Sequence, residues 1–478
     1  MKVLENIEPK KVMEYFEILS TIPHGSGNTK VISDYCVKYA KEHGFEYHQD
    51  DSNNVIIICP PTTGYENAPA VIIQGHLDMV CEKDANVDFD FTKDALKLMV
   101  DGDYVTADGT TLGADDGIAV AMALALMDDT SIPHPKLEAV FTVDEEIGLL
   151  GATAIDLSML EGKMLINIDS EIEGILTVSC AGGSTTKSII PVNSGKATGN
   201  IYKLTIDGLS GGHSGVEIDK NRANANILMG RLLYALCEQS DIKICELEGG
   251  MKDNAIPALS SAVIISDTDI SAIVKEYDLI FKNEYKTSDS GVRVQAQFLG
   301  NYQRNALDKK STKKVISYLV SVPNGIQRMS AEIEGLVQTS LNLGILKLTP
   351  ESMNASYSVR SSVGTEKSAL NTKITAITEA LGGTVEISGE YPAWEYNPNS
   401  KLRDIMAEVY REMYDKEIKI EAIHAGLECG VFCGKISGLD CVSLGPDLPE
   451  IHTPRERMSI SSVQRVWKYL LEVLKRIN

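Results

Sequence analysis

The run Val71–Val80, VIIQGHLDMV, constrains this chain more than any other stretch. It is a short apolar β-type segment that stops abruptly in His-Leu-Asp. A strand period of two puts His76 and Asp78 on the same side of the chain just past the strand end. A histidine two residues before an acid can serve as a metal ligand whose neighbouring carboxylate orients the groups around the metal. Short His-x-Asp matches are mostly accidental. This one has company: four more acid or histidine clusters follow, each at the end of another apolar run.

Length and composition exclude several classes. At 478 residues and 43% hydrophobic, the chain can build two or three domains with a substantial core. A formal charge of −22 argues against a nucleic-acid partner, which would need a basic face, and against an anionic membrane surface. No apolar run approaches the roughly 18 residues of a membrane span, and MKVLENIEPKKVMEYF reads as an amphipathic helix rather than a signal peptide. The nine cysteines are odd in number and scattered; Cys429 and Cys433 are the closest pair, with no second pair at finger-like spacing. They read as reduced thiols of a cytoplasmic protein.

Taken in order, residues 8–20 and 29–43 are predicted helices, and 54–58 and 70–74 buried strands. TTLGADDGIAVAMALALMDD (110–129) joins a glycine-flanked acidic turn to an apolar helix. Strands are expected at Leu137–Val143, ending in Asp144-Glu145-Glu146, and at Met164–Ile168, ending in Asp169. Helices alternating with apolar strands indicate an α/β sheet, mainly parallel and flanked by helices, where ligands gather outside the carboxyl ends of strands. From about Thr185 the character becomes α+β. Strands at 201–209, 258–266, 292–300 and 352–360 alternate with helices at 221–239, 267–284, 310–321 and 366–381. Strand, helix and strand recur twice, the pattern a duplicated unit would leave, without sequence identity between the copies. Past Tyr391-Pro392-Ala393-Trp394 the first pattern returns, with a helix at 399–414, strands near 417–422 and 441–445, and a closing helix at 461–477. The economical reading is a catalytic domain of 1–184 and 395–478 interrupted by an inserted domain of 185–394, two similar α+β units being one way to build the insert.

The candidate ligands are His76, Asp115, Glu146, Asp169 and His452, each following a different apolar run. Two histidines and three carboxylates suit zinc, or cobalt or manganese, rather than calcium. Five ligands are too many for one catalytic zinc with an open position. Two ions sharing a carboxylate fit better. The sharer is expected on a tight turn at a helix start, as Asp115 is in Gly-Ala-Asp-Asp-Gly, with Asp116 beside it as the other choice. Glu145, next to the ligand Glu146, is then free to act as general base on a water activated by the ions. His424 reads equally as an ordinary histidine and as a substrate contact. His213, in Gly-Gly-His-Ser-Gly, reads from its neighbours as a tight exposed turn.

GHLDMV, LGADDGIAVAMAL, FTVDEEIGLLGA, NIDSE, GGHSG and IHTPRERM together resemble the motif series of the M20 metallopeptidase family over essentially the whole chain. LGADDGIAVA, the Tyr-Pro-Ala-Trp stretch, HAGLECGVF and the length are similar to its aminoacyl-histidine dipeptidase branch. The resemblance implies one metal on His76, Asp115 and Asp169 and a second on Asp115, Glu146 and His452. It makes Asp78 the group that orients His76, Glu145 the base, and His213 the donor that stabilises the tetrahedral oxyanion from a lid domain. Arg360 would pair with the substrate carboxylate, a bidentate task suited to arginine, and Asn254 and Gly426 would line the substrate. The implied activity is hydrolysis of small peptides, Xaa-His such as β-alanyl-histidine, in the cytoplasm, with a homodimer left open. An aminoacylase or tripeptidase using the same site, and an inactive metal-binding protein, are the competing readings.

Overall fold

Apolar runs with no polar alternation are strands buried on both faces. VIIIC (Val55–Cys59), VIIQGH (Val71–His76) and LEAVFT (Leu137–Thr142) are buried at every residue. The structure, a computed structural model, describes residues 2–478, so Met1 of MKVLENIEPKKVMEYF lies outside it; of that stretch, helix begins only at Lys10, after the N-cap Pro9. The chain divides into two compact units, one up to Ser179 with Tyr396–Ala422 and Leu427–Asn478, the other Cys180–Glu395 with Ile423–Gly426.

The first unit is built on an eight-stranded sheet ordered 46–49, 55–59, 137–142, 71–76, 164–167, 440–443, 175–180, 419–423. Its four central strands run parallel, and antiparallel pairs flank them. Register pairs Val71 with Leu137 and with Met164, and His76 with Thr142. The chain therefore leaves 71–76, 137–142 and 164–167 at one sheet edge, just before His76-Asp78, Glu145-Glu146 and Asp169. The helix Ala114–Asp128 is apolar around its circumference and packs against the strand Val71–His76 and the helix Lys10–Leu19. Gly75 is required by that packing, since a Cβ there would lie 2.6 Å from both Ala119 Cβ and Asp116 Oδ2.

The second unit carries a nine-stranded sheet whose observed pairs are all antiparallel, with the helices Ala225–Gln239, Ser271–Glu284, Lys309–Ser321 and Gly364–Ala380 contributing to its core. Two predicted helices start late. Asn224 accepts hydrogen bonds from the Asn226 and Ile227 amides, so helix begins at Ala225 rather than 221, and Asp269 takes the Ser271 amide, so the next begins at Ser271 rather than 267. Among the described residues no helix is long and apolar enough to cross a membrane.

Candidate metal centre

The turn Gly113–Asp116 carries the pivotal carboxylate. Asp115 and Asp116 open the helix with non-helical backbone angles, which sends their side chains apart. Asp115 Oδ1 lies 3.1 Å from His76 Nε2, and its other oxygen lies 3.1 Å from His452 Nε2. His76 Nε2 is also 3.7 Å from Asp169 Oδ1, and His452 Nε2 is 2.8 Å from Glu146 Oε1. That last approach is out of line for a hydrogen bond, which leaves the buried Glu146 oxygen without a donor. Donor atoms of Asp115, Glu146 and His452 lie within 4.8 Å of one another, as do those of His76, Asp116 and Asp169 and those of His76, Glu145 and Glu146. Asp116 faces away from the second histidine: its Oδ2 accepts the His76 amide at 3.2 Å, and its Oδ1 has no donor among the described residues.

Asp78 ties these segments together. The His76 ring donates through Nδ1 to the Asp78 carbonyl at 2.9 Å, which leaves Nε2 with its lone pair toward the carboxylates when the ring is neutral. The Asp78 carboxylate accepts the Glu145 amide (3.0 Å), the Glu146 amide (3.4 Å) and the Ser26 hydroxyl (2.8 Å). Sequence reasoning missed a polar chain below this edge. Glu428 Oε2 accepts from Gln74 (2.6 Å) and Thr142 (2.7 Å), and Gln74 accepts from Asn167 (2.6 Å). It crosses three adjacent strands two or three residues before His76, Glu145 and Asp169. Its only sequence signal is Glu428 inside HAGLECG, and nothing local links that motif to Gln74.

The electrostatics are those of a site short of positive charge. Burial, opposed by His76, pushes Glu145 up to about 8, with Glu428 and Glu146 adding to the rise. Burial likewise carries Asp116 and Asp169 well above the carboxylate range. Asp115 is buried too, yet its contacts with His452 and His76 hold it below that range. His452 is raised to about 10 by Asp115 and Glu146, and His76 is raised despite burial by Asp115, Asp78 and Asp169. The carboxyl groups of Asp78, Asp115, Asp116, Glu145, Glu146 and Asp169 converge on two imidazoles, a crowding that cations would relieve in place of protons. The donor set, imidazole nitrogen with carboxylate oxygen, fits zinc, cobalt or manganese.

The remaining candidates lie in the second unit. His213 sits on a two-residue strand paired with Ala255–Ile256, after Gly211 and Gly212 with φ of 66° and 131°. It is half-buried, not the exposed turn predicted, because the turn packs on the His424 carbonyl, which would lie 3.0 Å from a Cβ at Gly215. His213 Nδ1 accepts the Gly215 and Val216 amides at 3.2 Å each, which puts the ring proton on Nε2. The Asn254 carbonyl accepts the Ser214 amide. Arg360 is buried on the strand Ser352–Ser361; its Nη1 donates to the Tyr391 hydroxyl at 3.0 Å, and its Nε has no partner among the described residues. His424 is paired with Ser340 at 2.7 Å; burial and then the Arg360 charge push it down to about 3. Burial and Arg360 also lower His213. Tyr391 is legible in the sequence only as part of the Tyr-Pro-Ala-Trp stretch, with no site role; its ring lies 2.4 Å and 2.7 Å from where Cβ atoms at Gly183 and Gly426 would stand.

A parallel sheet edge presenting His76 and Asp169, with Asp115 from a helix start and His452 from a loop beside them, defines an α/β protein with a candidate metal centre. The chain belongs to the peptidase family M20/M25/M40, whose profile matches residues 72–476, and is a peptide hydrolase. It is 36% identical over 483 aligned positions to the cytosol non-specific dipeptidase of Escherichia coli (strain K12), covering 100% of this chain and 99% of that protein. The crystal structure of aminoacylhistidine dipeptidase from Vibrio alginolyticus superposes with a TM-score of 0.95 at 33% identity, covering 99% of this chain and 98% of that one. The aminopeptidase PepT of Bacillus cereus shares the fold, with a TM-score of 0.59 at 16% identity.

Proposed function

We propose that the protein is a cytoplasmic dipeptidase whose centre takes two divalent cations, zinc first and cobalt or manganese as substitutes, and that residues 185–394 act as its lid. The observation that carries this is Asp115, with one carboxylate oxygen toward each histidine at 3.1 Å. His76, Asp115 and Asp169 would hold one ion and Asp115, Glu146 and His452 the other. Bound there, the ions would polarise the scissile carbonyl and make a water acidic enough to attack it.

The chain's own residues do the rest. Glu145, its amide pinned by Asp78, takes the proton of the attacking water and returns it to the leaving amine. Asp78 orients His76. His213, neutral and with its proton on Nε2, donates to the oxygen that becomes negative. Arg360, held by Tyr391, pairs with the terminal carboxylate of the substrate, with Asn254, His424 and Gly426 beside it. The names of the two full-length relatives, a non-specific dipeptidase and an aminoacylhistidine dipeptidase, support dipeptides as substrates, and the second supports Xaa-His. The nine free cysteines suit a reducing compartment.

The reading is tested with cation-reconstituted protein on β-alanyl-histidine, dipeptides without histidine, tripeptides and N-acetyl amino acids. Turnover confined to tripeptides or N-acetyl substrates, or none at all, would sink it. Two further outcomes are expected. Asp115→Asn keeps the shape and removes the charge between two cations, so elemental analysis after dialysis should find both ions lost together; two ions retained would move the shared role to Asp116. Arg360→Ala removes charge-assisted hydrogen bonds worth about 1.5–3 kcal/mol, roughly 10- to 100-fold in kcat/KM. The loss should appear with a free dipeptide and vanish with its C-terminal amide; an equal loss on both would refute the carboxylate role.

A further inference from the structure

Four residues beyond His452 the chain places a second acid, Glu456, whose side chain is buried in the first unit. Its carboxylate accepts four main-chain amides of the turn that carries Asp115. Leu112 (2.7 Å) and Gly113 (3.1 Å) donate to Oε2, and Ala114 (2.8 Å) and Asp115 (3.4 Å) donate to Oε1. The opening amides of a helix have no partner inside it, and its positive end favours an anion. The N-cap of this helix, Gly113, has a φ of 67° and no side chain to supply the cap. Met79 Sδ and His24 Nε2 stand 2.9 Å and 3.3 Å from where a Cβ would be, so the capping group has to come from elsewhere in the chain.

The other end of Glu456 is equally fixed. Its amide donates to the Thr453 carbonyl (3.0 Å), and its carbonyl accepts the Thr106 hydroxyl (3.1 Å). The next residue, Arg457, starts a strand paired with Tyr104–Ala107. His452 itself has a φ of 59°, outside regular structure, so no helix or strand of its own orients it. Burial pushes the Glu456 carboxyl up to about 7, while the Leu112, Gly113 and Ala114 amides favour its charged form.

We propose that Glu456 is the positioning residue of the dinuclear centre: one buried carboxylate locks the Asp115 turn to the His452 loop, so that these two ligands meet a cation as a preformed pair. This rests on the two-ion reading above. Two ligands held at 3.1 Å by a common anchor bind an ion without first ordering two separate turns. A cap that served folding alone would alter stability and leave the ligand geometry as it was.

Glu456→Gln separates these roles, because the amide can accept on one side only and opposes N–H to N–H on the other. Full-length protein stripped with a chelator is titrated with cobalt(II), read by calorimetry and by the cobalt absorption spectrum, with no substrate present. Wild type should take two ions. Glu456→Gln should lose about 10- to 100-fold in affinity with a changed spectrum, the scale found when groups that orient ligands are removed. Arg455→Ala, which breaks only the exposed pair with Glu450 in the same loop, should change neither. Two ions bound by Glu456→Gln with wild-type affinity and spectrum overturns the proposal. A wild-type protein that takes no ion overturns the two-ion reading and the proposal with it. If Glu456→Gln does not fold, hydrogen exchange on ion-free wild type decides: the Leu112, Gly113 and Ala114 amides should be protected, and exchange at the rate of open amides overturns the anchor.

Discussion

Glu145→Ala should leave a folded protein that binds its full complement of cations and turns over dipeptide about 10²–10⁴ times more slowly, the usual scale of general-base removal. At about 1.4 kcal/mol per decade, that is roughly 3–6 kcal/mol of transition-state stabilisation. The selectivity follows from the doublet. Glu146 offers an oxygen near His452 and Asp115, whereas Glu145 is kept out of both proposed ligand sets and has its amide held by Asp78. Burial has already raised the Glu145 carboxyl to about 8, toward the range where a base can both accept and return a proton at neutral pH. Elemental analysis and steady-state kinetics on the same preparation check it. Near-normal kcat with ion content intact would remove Glu145 from the reaction.

His213→Ala should lower kcat by about 10²–10³, the loss seen when one oxyanion donor is deleted, with KM changing far less. The ring is prepared for donation: two amides occupy Nδ1, its proton is therefore on Nε2, and burial with the nearby Arg360 charge keeps it neutral. The proposed ligands lie in the other unit, so ion content should not move. A drop in ion content, or a rise in KM with kcat preserved, would refute the role. Mixing a His213→Ala chain with a Glu145→Ala chain identifies the donor: recovered activity means donation across subunits, and none, with exchange of subunits demonstrated, means donation within one chain.

Much of the first unit was legible because strands buried on both faces are mostly apolar, with few polar residues to break the run. VIIQGH, LEAVFT and MLIN announce themselves, and so do the acids where each run stops. Much of the second unit's sheet was not. GGSTTKSIIP (Gly182–Pro191) and TVEISGEY (Thr384–Tyr391) carry serines, threonines and charges, and the second is largely exposed. Strand pairing with distant partners, rather than their own composition, makes them strands. The contact of Tyr391 with Arg360 was illegible for the same reason, since it exists only once their two strands pair on either side of Gly182–Pro191.

By itself the sequence determined which residues stand at the ends of apolar runs, because a strand's period sets the face and the edge from local pattern alone. It could not say which oxygen faces which nitrogen. Asp115 and Asp116 are neighbours of identical chemistry, and only the folded turn sends one between two histidines and the other back against Gly75. Likewise Glu456 reaches the amides of residues 112–115 across 341 to 344 positions of sequence. Hydrogen-bond partners so far apart leave no periodic trace in the chain; tertiary packing alone brings them within 3.4 Å.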